Sequence, residues 1–147
     1  MVGGVKATFI ALLAFSLCLP AVGADKKPLT KEESAKVIEA AIREAAKKPT
    51  GELTKADYEK VTELNLQNNQ LTDVKGLENL TQLQNLSLVQ NQLTSVQGLE
   101  KLTQLKYLDL TDNAYLTTAQ IDQLKKALPK CKISSNPKKP GADTPPV

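Results

Sequence analysis

Apolar positions along the chain fall into three regimes. From Ala7 to Leu19 they are nearly continuous, from Thr30 to Lys48 they recur every three or four residues, and from Val61 onward they come as L-x-L pairs that return at a constant interval. The last regime organises the chain. It reads V-T-E-L-N-L-Q-N-N-Q-L from Val61, L-Q-N-L-S-L-V-Q-N-Q-L from Leu83 and L-K-Y-L-D-L-T-D-N from Leu105. Leu64, Leu86 and Leu108 lie 22 residues apart (64 to 86, 86 to 108), as do Leu66, Leu88 and Leu110, and Asn69, Asn91 and Asn113. Between these frames G-L-E-N-L-T-Q-L at Gly76 matches G-L-E-K-L-T-Q-L at Gly98.

Strict alternation over x-L-x-L-x predicts a short strand in each unit, with successive side chains on opposite faces. The leucines point inward. Glu63, Asn65 and Gln67 point outward in the first unit, Asn85, Ser87 and Val89 in the second, and Tyr107, Asp109 and Thr111 in the third. Stacking the units aligns these residues in three columns on one face of a parallel sheet. Behind the strand, Leu71, Val74, Leu77, Leu80 and Leu83 turn inward, and Leu93, Val96, Leu99, Leu102 and Leu105 repeat that pattern. Gly76 and Gly98 supply backbone freedom at a turn. Asn69, Asn91 and Asn113 follow each strand where the chain bends sharply and backbone groups lose their ladder partners. Each orphaned group must be satisfied, and an amide side chain carries both donors and an acceptor. The three are read as a structural ladder joining each turn to its neighbour.

The flanks predict closures. Thr30 and Glu33 form a capping box, and Val37, Ile38, Ala41, Ile42 and Ala45 make an apolar helical stripe that Pro49-Thr50-Gly51 stops. A second short helix is expected from a Thr54 N-cap to about Lys60, with Asp57 at N3 and Leu53 and Tyr58 as a hydrophobic staple. Together they cap the open apolar edge of the first unit. The third unit departs from the rest. An inward Leu falls at 116 rather than 115, and Thr118 to Leu128 reads as an amphipathic helix with Ile121, Leu124 and Leu128 on one face, ended by Pro129. Cys131 and Ile133 are expected as the last strand pair, 23 positions beyond Leu108 and Leu110, so that one inserted residue explains both shifts. Residues 134–147 form a Pro-rich polar tail that cannot bury enough to order itself.

At the N-terminus Lys6, the apolar run Ala7 to Leu19 and the small residues Val22-Gly23-Ala24 read as a secretory signal over residues 1–24. The rivals are an uncleaved anchor, for which the run is short of the ~20 residues a span needs, and a lipoprotein on Cys18, which Leu17 fits poorly. Cleavage leaves the mature chain without a stable membrane span and leaves Cys131 as an odd thiol, either buried and inert or pairing between chains. The expected organisation is then 25–60 as a helical cap, 61–133 as repeats with a C-terminal cap, and 134–147 as the tail.

Composition removes several functions. The 19 basic and 16 acidic residues are scattered, which argues against nucleic acid. Lys125, Lys126, Lys130 and Lys132 form a local basic patch, read as a solvated face or a contact for an acidic partner. With no His and two Cys in the chain, the commonest general base is missing and a Cys-rich zinc site cannot be assembled. No cofactor, metal or catalytic residue is expected. Asn79-Leu80-Thr81 and Asn85-Leu86-Ser87 are sequons that matter only in a glycosylating host.

Residues Thr54 to Ile133 resemble the 22-residue class of leucine-rich repeats, found in internalin-like bacterial surface proteins and in protein-phosphatase regulatory subunits. The motifs L-N-L-Q-N-N-Q-L at Leu64 and L-S-L-V-Q-N-Q-L at Leu86 carry the likeness. The D-N-A-Y-L-T-T-A-Q-I-D-Q-L-K-K-A-L-P-K-C-K-I segment from Asp112 resembles the C-terminal cap of short secreted bacterial proteins of this type. The resemblance implies a curved solenoid with a parallel sheet on its concave side and protein binding there; with the helical caps read from the flanks, the expected fold is an α/β solenoid, and a monomer is expected. The nine outward residues from Glu63 to Thr111 are the expected site. A regulatory subunit of an enzyme such as a protein phosphatase is the alternative.

Overall fold

A computed structural model describes residues 27–136. The expected signal segment lies outside the described residues, as does the expected tail beyond Asn136.

Helix α1 spans Lys31–Ala45. Glu33 N–H donates to Thr30 Oγ1 at 3.2 Å and Thr30 N–H donates to Glu33 Oε2 at 2.8 Å, which satisfies two orphan amides at once. The buried face is Ser34, Ile38 and Ile42, continued by Ala46, with Val37 and Ala41 partly buried. Ala45, expected in this stripe, is exposed. The helix meets the repeats along an every-fourth-residue line, and Ala45 falls to one side of it. Ser34 belongs to the contact because its hydroxyl accepts from Thr72 N–H at 3.2 Å, while Thr72 Oγ1 donates to Leu29 O at 2.9 Å. The cap is thus hydrogen-bonded to the first repeat as well as packed on it.

Helix α2 is a single turn, Lys55–Glu59. Asp57 anchors it. Lys48 Nζ donates to Asp57 Oδ2 at 2.6 Å, Thr54 N–H and Oγ1 donate to the same oxygen, and Lys60 Nζ approaches Oδ1 at 3.2 Å. The Lys48 ammonium, then the Thr54 donors, hold the Asp57 carboxyl well below the usual carboxylate range. This one side chain joins the end of α1 to the start of α2.

Four strands follow, β1 (Glu63–Asn65), β2 (Asn85–Ser87), β3 (Tyr107–Asp109) and β4 (Lys132–Ser134), all parallel and in chain order. Leu64 stands beside Leu86 and Leu86 beside Leu108. Each coil returns through a short 3-10 turn, Leu77–Asn79 and Leu99–Lys101. Gly76 and Gly98 precede these turns at φ 104 and 103, a region costly for residues with a Cβ. Their N–H groups donate to Glu78 Oε2 and Glu100 Oε2, both at 2.6 Å. The core between sheet and convex turns is a column of leucines, with Leu71, Leu77, Leu80, Leu83, Leu93, Leu99 and Leu102 fully buried.

Helix α3 spans Thr118–Ala127, capped by Thr117 and Gln120, and buries Ile121 and Leu124; Leu128 is buried just beyond it. The last strand corrects the expected register. Ile133 pairs with Leu108, and Lys132 and Ser134 pair with Tyr107 and Asp109. The offset from Leu108 to Ile133 is 25, three more than the regular 22, and Cys131 is no strand partner of Leu108. The reason is geometric. A ten-residue helix and the turn after it take more chain than a 3-10 turn, and Cys131 N–H is spent on Leu128 O inside that turn. Ser134, expected to open the tail, is a strand residue whose carbonyl accepts from Leu110 N–H at 2.8 Å.

Candidate functional site

The exposed face of the sheet carries two complete cross-strand rows. One is Glu63, Asn85, Tyr107 and Lys132; the other is Asn65, Ser87, Asp109 and Ser134. They line a shallow groove of about 570 Å³ whose floor is the strand backbone at Leu64, Leu86 and Leu108. Gln67, Val89 and Thr111 lie past the strand ends and outside the groove. Lys132 and Ser134 belong to the site and were missing from the outward set read from the sequence. The alternation Cys131-Lys132-Ile133 is the available signal for Lys132, but the outward set stops at the three regular units and Lys132 is read as part of a basic patch.

The face is not uniformly free. Asn65 Oδ1 accepts Gln67 N–H at 3.1 Å, and Asp109 Oδ1 accepts Thr111 N–H at 3.0 Å and the Thr111 hydroxyl at 2.5 Å. Both side chains hold the turn that leaves their strand. Asn85 Nδ2 donates to Glu63 Oε1 at 2.9 Å across the row. Tyr107 is 58 % exposed and lines the groove between Asn85 and Lys132. Among the described residues its hydroxyl and Lys132 Nζ have no hydrogen-bond partner.

Behind this face the asparagines behave unequally. Asn91 Oδ1 accepts from Asn69 and Leu71 N–H, and its Nδ2 donates to Leu66, Leu88 and Val89 carbonyls. Asn113 repeats the geometry one coil on, reaching Leu93 N–H and the Leu88 and Leu110 carbonyls. Asn69 does not. Among the described residues its side chain donates only to Gln67 O, in its own turn, and it stays partly exposed. The amide reaches backward along the array, and before Asn69 there is a helical cap in place of a coil.

Two other hollows lie on the convex side, about 460 Å³ between α1 and the first repeat and about 440 Å³ between the second repeat and α3. Several of their polar groups already serve the fold: Glu78 and Glu100 cap glycine amides, and Gln120 caps α3 and donates to Thr94 O at 3.0 Å. Cys131 is partly buried, and that burial pushes its thiol above the ordinary value. Among the described residues no three His, Cys, Asp or Glu side chains gather as a metal site, and no helix is long and apolar enough to cross a membrane.

Residues 81–126 match a family model described as leucine-rich repeats in two copies. No curated protein matches the sequence. Among solved structures the chain is similar to internalin C2 of Listeria monocytogenes, at 23 % identity over 67 % of this chain and 52 % of that one, with a TM-score of 0.48. It is likewise similar to an internalin (inlF) of Listeria monocytogenes, at 20 % identity over 67 % of this chain and 35 % of that one, with a TM-score of 0.48. The chain thus spans about half the length of the first and about a third of the second. Register and asparagine bonding give the described chain the fold of a short parallel-stranded solenoid, and residues 81–126 of it match leucine-rich repeats.

Proposed function

We propose that the concave sheet face is the docking surface of a non-catalytic protein-binding module, secreted or held in the cell envelope. The carrying observation is Tyr107. It is a large aromatic, 58 % exposed, flanked on neighbouring strands by Asn85 and Lys132 among outward side chains that the core does not use. Buried tyrosines are among the commonest interface anchors, and repeat arrays present their concave surface to partners. With four three-residue strands the face is small, so the affinity it supports is modest. The extracellular half of the proposal is supported by the signal pattern of residues 1–24.

Crosslinking in the native envelope or culture medium, followed by mass spectrometry, tests both halves. Wild type is expected to crosslink a partner that Tyr107→Ala loses, with a mature N-terminus at Asp25. Capture unchanged by Tyr107→Ala moves the site off this face. Protein recovered from the cytosol with Met1 intact overturns the location.

A further inference from the structure

Glu63 and Lys132 stand at opposite ends of one row, with Asn85 and Tyr107 between them. Three strand-to-strand steps separate the two charges, about 14 Å at sheet spacing. The Asn85 bond turns the Glu63 carboxylate along the row, and among the described residues neither its second oxygen nor Lys132 Nζ has a partner. The third charge near the groove, Asp109, is bound to the Thr111 amide and hydroxyl, beyond the C-terminal end of its strand, whereas Lys132 lies level with Tyr107. The row is therefore negative at one end, positive at the other and aromatic between.

On the proposed docking role of this face, we infer that its occupant is an extended polypeptide segment with a basic and an acidic side chain four residues apart. The basic group meets Glu63, the acidic group meets Lys132, and the apolar residues between them lie over Tyr107. Four residues of extended chain cover about 13 Å, which matches the row. A polyanion such as nucleic acid would meet Glu63 and Asp109 unfavourably.

The test uses four fluorescent, end-capped peptides on one scaffold, X-Ala-Pro-Ala-X, with X as Arg/Glu, Glu/Arg, Arg/Arg or Glu/Glu. Fluorescence anisotropy against the full mature chain is the measurement. Wild type is expected to bind a mixed-charge peptide about tenfold more tightly than either like-charge one, since each exposed pair changes an equilibrium only a few-fold. Glu63→Lys should shift the preference to Glu/Glu, and Lys132→Glu should shift it to Arg/Arg. Added salt should weaken each preference. Tyr107→Ala should lower binding of every peptide. Preferences that ignore both charge reversals, or no binding by any peptide, overturn the inference while the docking role still stands on its crosslinking test. Peptide binding unchanged by Tyr107→Ala counts against the concave face itself.

Discussion

Asn91 Nδ2 donates to the carbonyl of Leu66, 25 positions earlier in the chain, at 2.8 Å. Its oxygen takes the N–H of Leu71, 20 positions earlier, at 3.0 Å. The same Nδ2 donates to Leu88 O of its own coil at 2.9 Å, so one buried side chain satisfies backbone groups of two successive coils. Asn91→Ala should leave those groups unpaired and cost about 3–5 kcal/mol, as expected for buried hydrogen-bonding groups left without partners. Asn69→Ala should cost about 1 kcal/mol or less, because it removes a single bond at a partly exposed site. Urea unfolding of the two variants separates them, and equal losses would refute the backward-reaching ladder.

The register of the last strand predicts a second contrast. Ile133 is partly buried against the core beside Leu108, while Lys132 is exposed on the groove side. Ile133→Asp should cost about 2–3 kcal/mol for placing a charge in that contact, and Lys132→Asp should stay within about 1 kcal/mol. A reversed order would put Lys132, and not Ile133, on the core side of the last strand.

The N-terminal cap should loosen in acid. Lys48 and Thr54 hold the folded Asp57 carboxyl below its ordinary range, and the Thr30 amide and hydroxyl lower Glu33 in the same direction. As pH falls, the unfolded chain takes up these protons first, near the ordinary carboxylate value of about 4. The stabilisation is therefore complete above about pH 5 and is lost as pH drops through that value toward the folded ones. Asp57→Asn should be less stable than wild type at pH 7, with a gap that narrows between about pH 5 and pH 2. Unfolding curves across that range check it; a constant gap would mean the carboxylate charge is not what ties α1 to α2.

Cys131 should react slowly. Burial disfavours its thiolate, and the thiolate is the nucleophile. Alkylation at pH 8 should run several-fold slower in the native protein than in denaturant. Native reaction at the denatured rate would show the thiol to be open.

Particular residues show how far sequence alone reaches. The 22-residue recurrence of Leu64, Leu86 and Leu108 determined a parallel array and its inward face, because alternation permits a single assignment of sides once one face is buried. The capping pairs Thr30 with Glu33 and Thr54 with Asp57 were legible for the same local reason, a polar side chain three residues from the amide it serves. Tertiary structure decided the matters that depend on what lies next to a residue. Asn69 carries the ladder's residue type without its bonds, since the element before it is a helix and not a coil. Ile133 pairs with Leu108 because the path length through α3 and its following turn sets the offset, a quantity no periodicity encodes. That shift brought Lys132 level with Glu63 and Tyr107, and so gave the concave row its opposite charges.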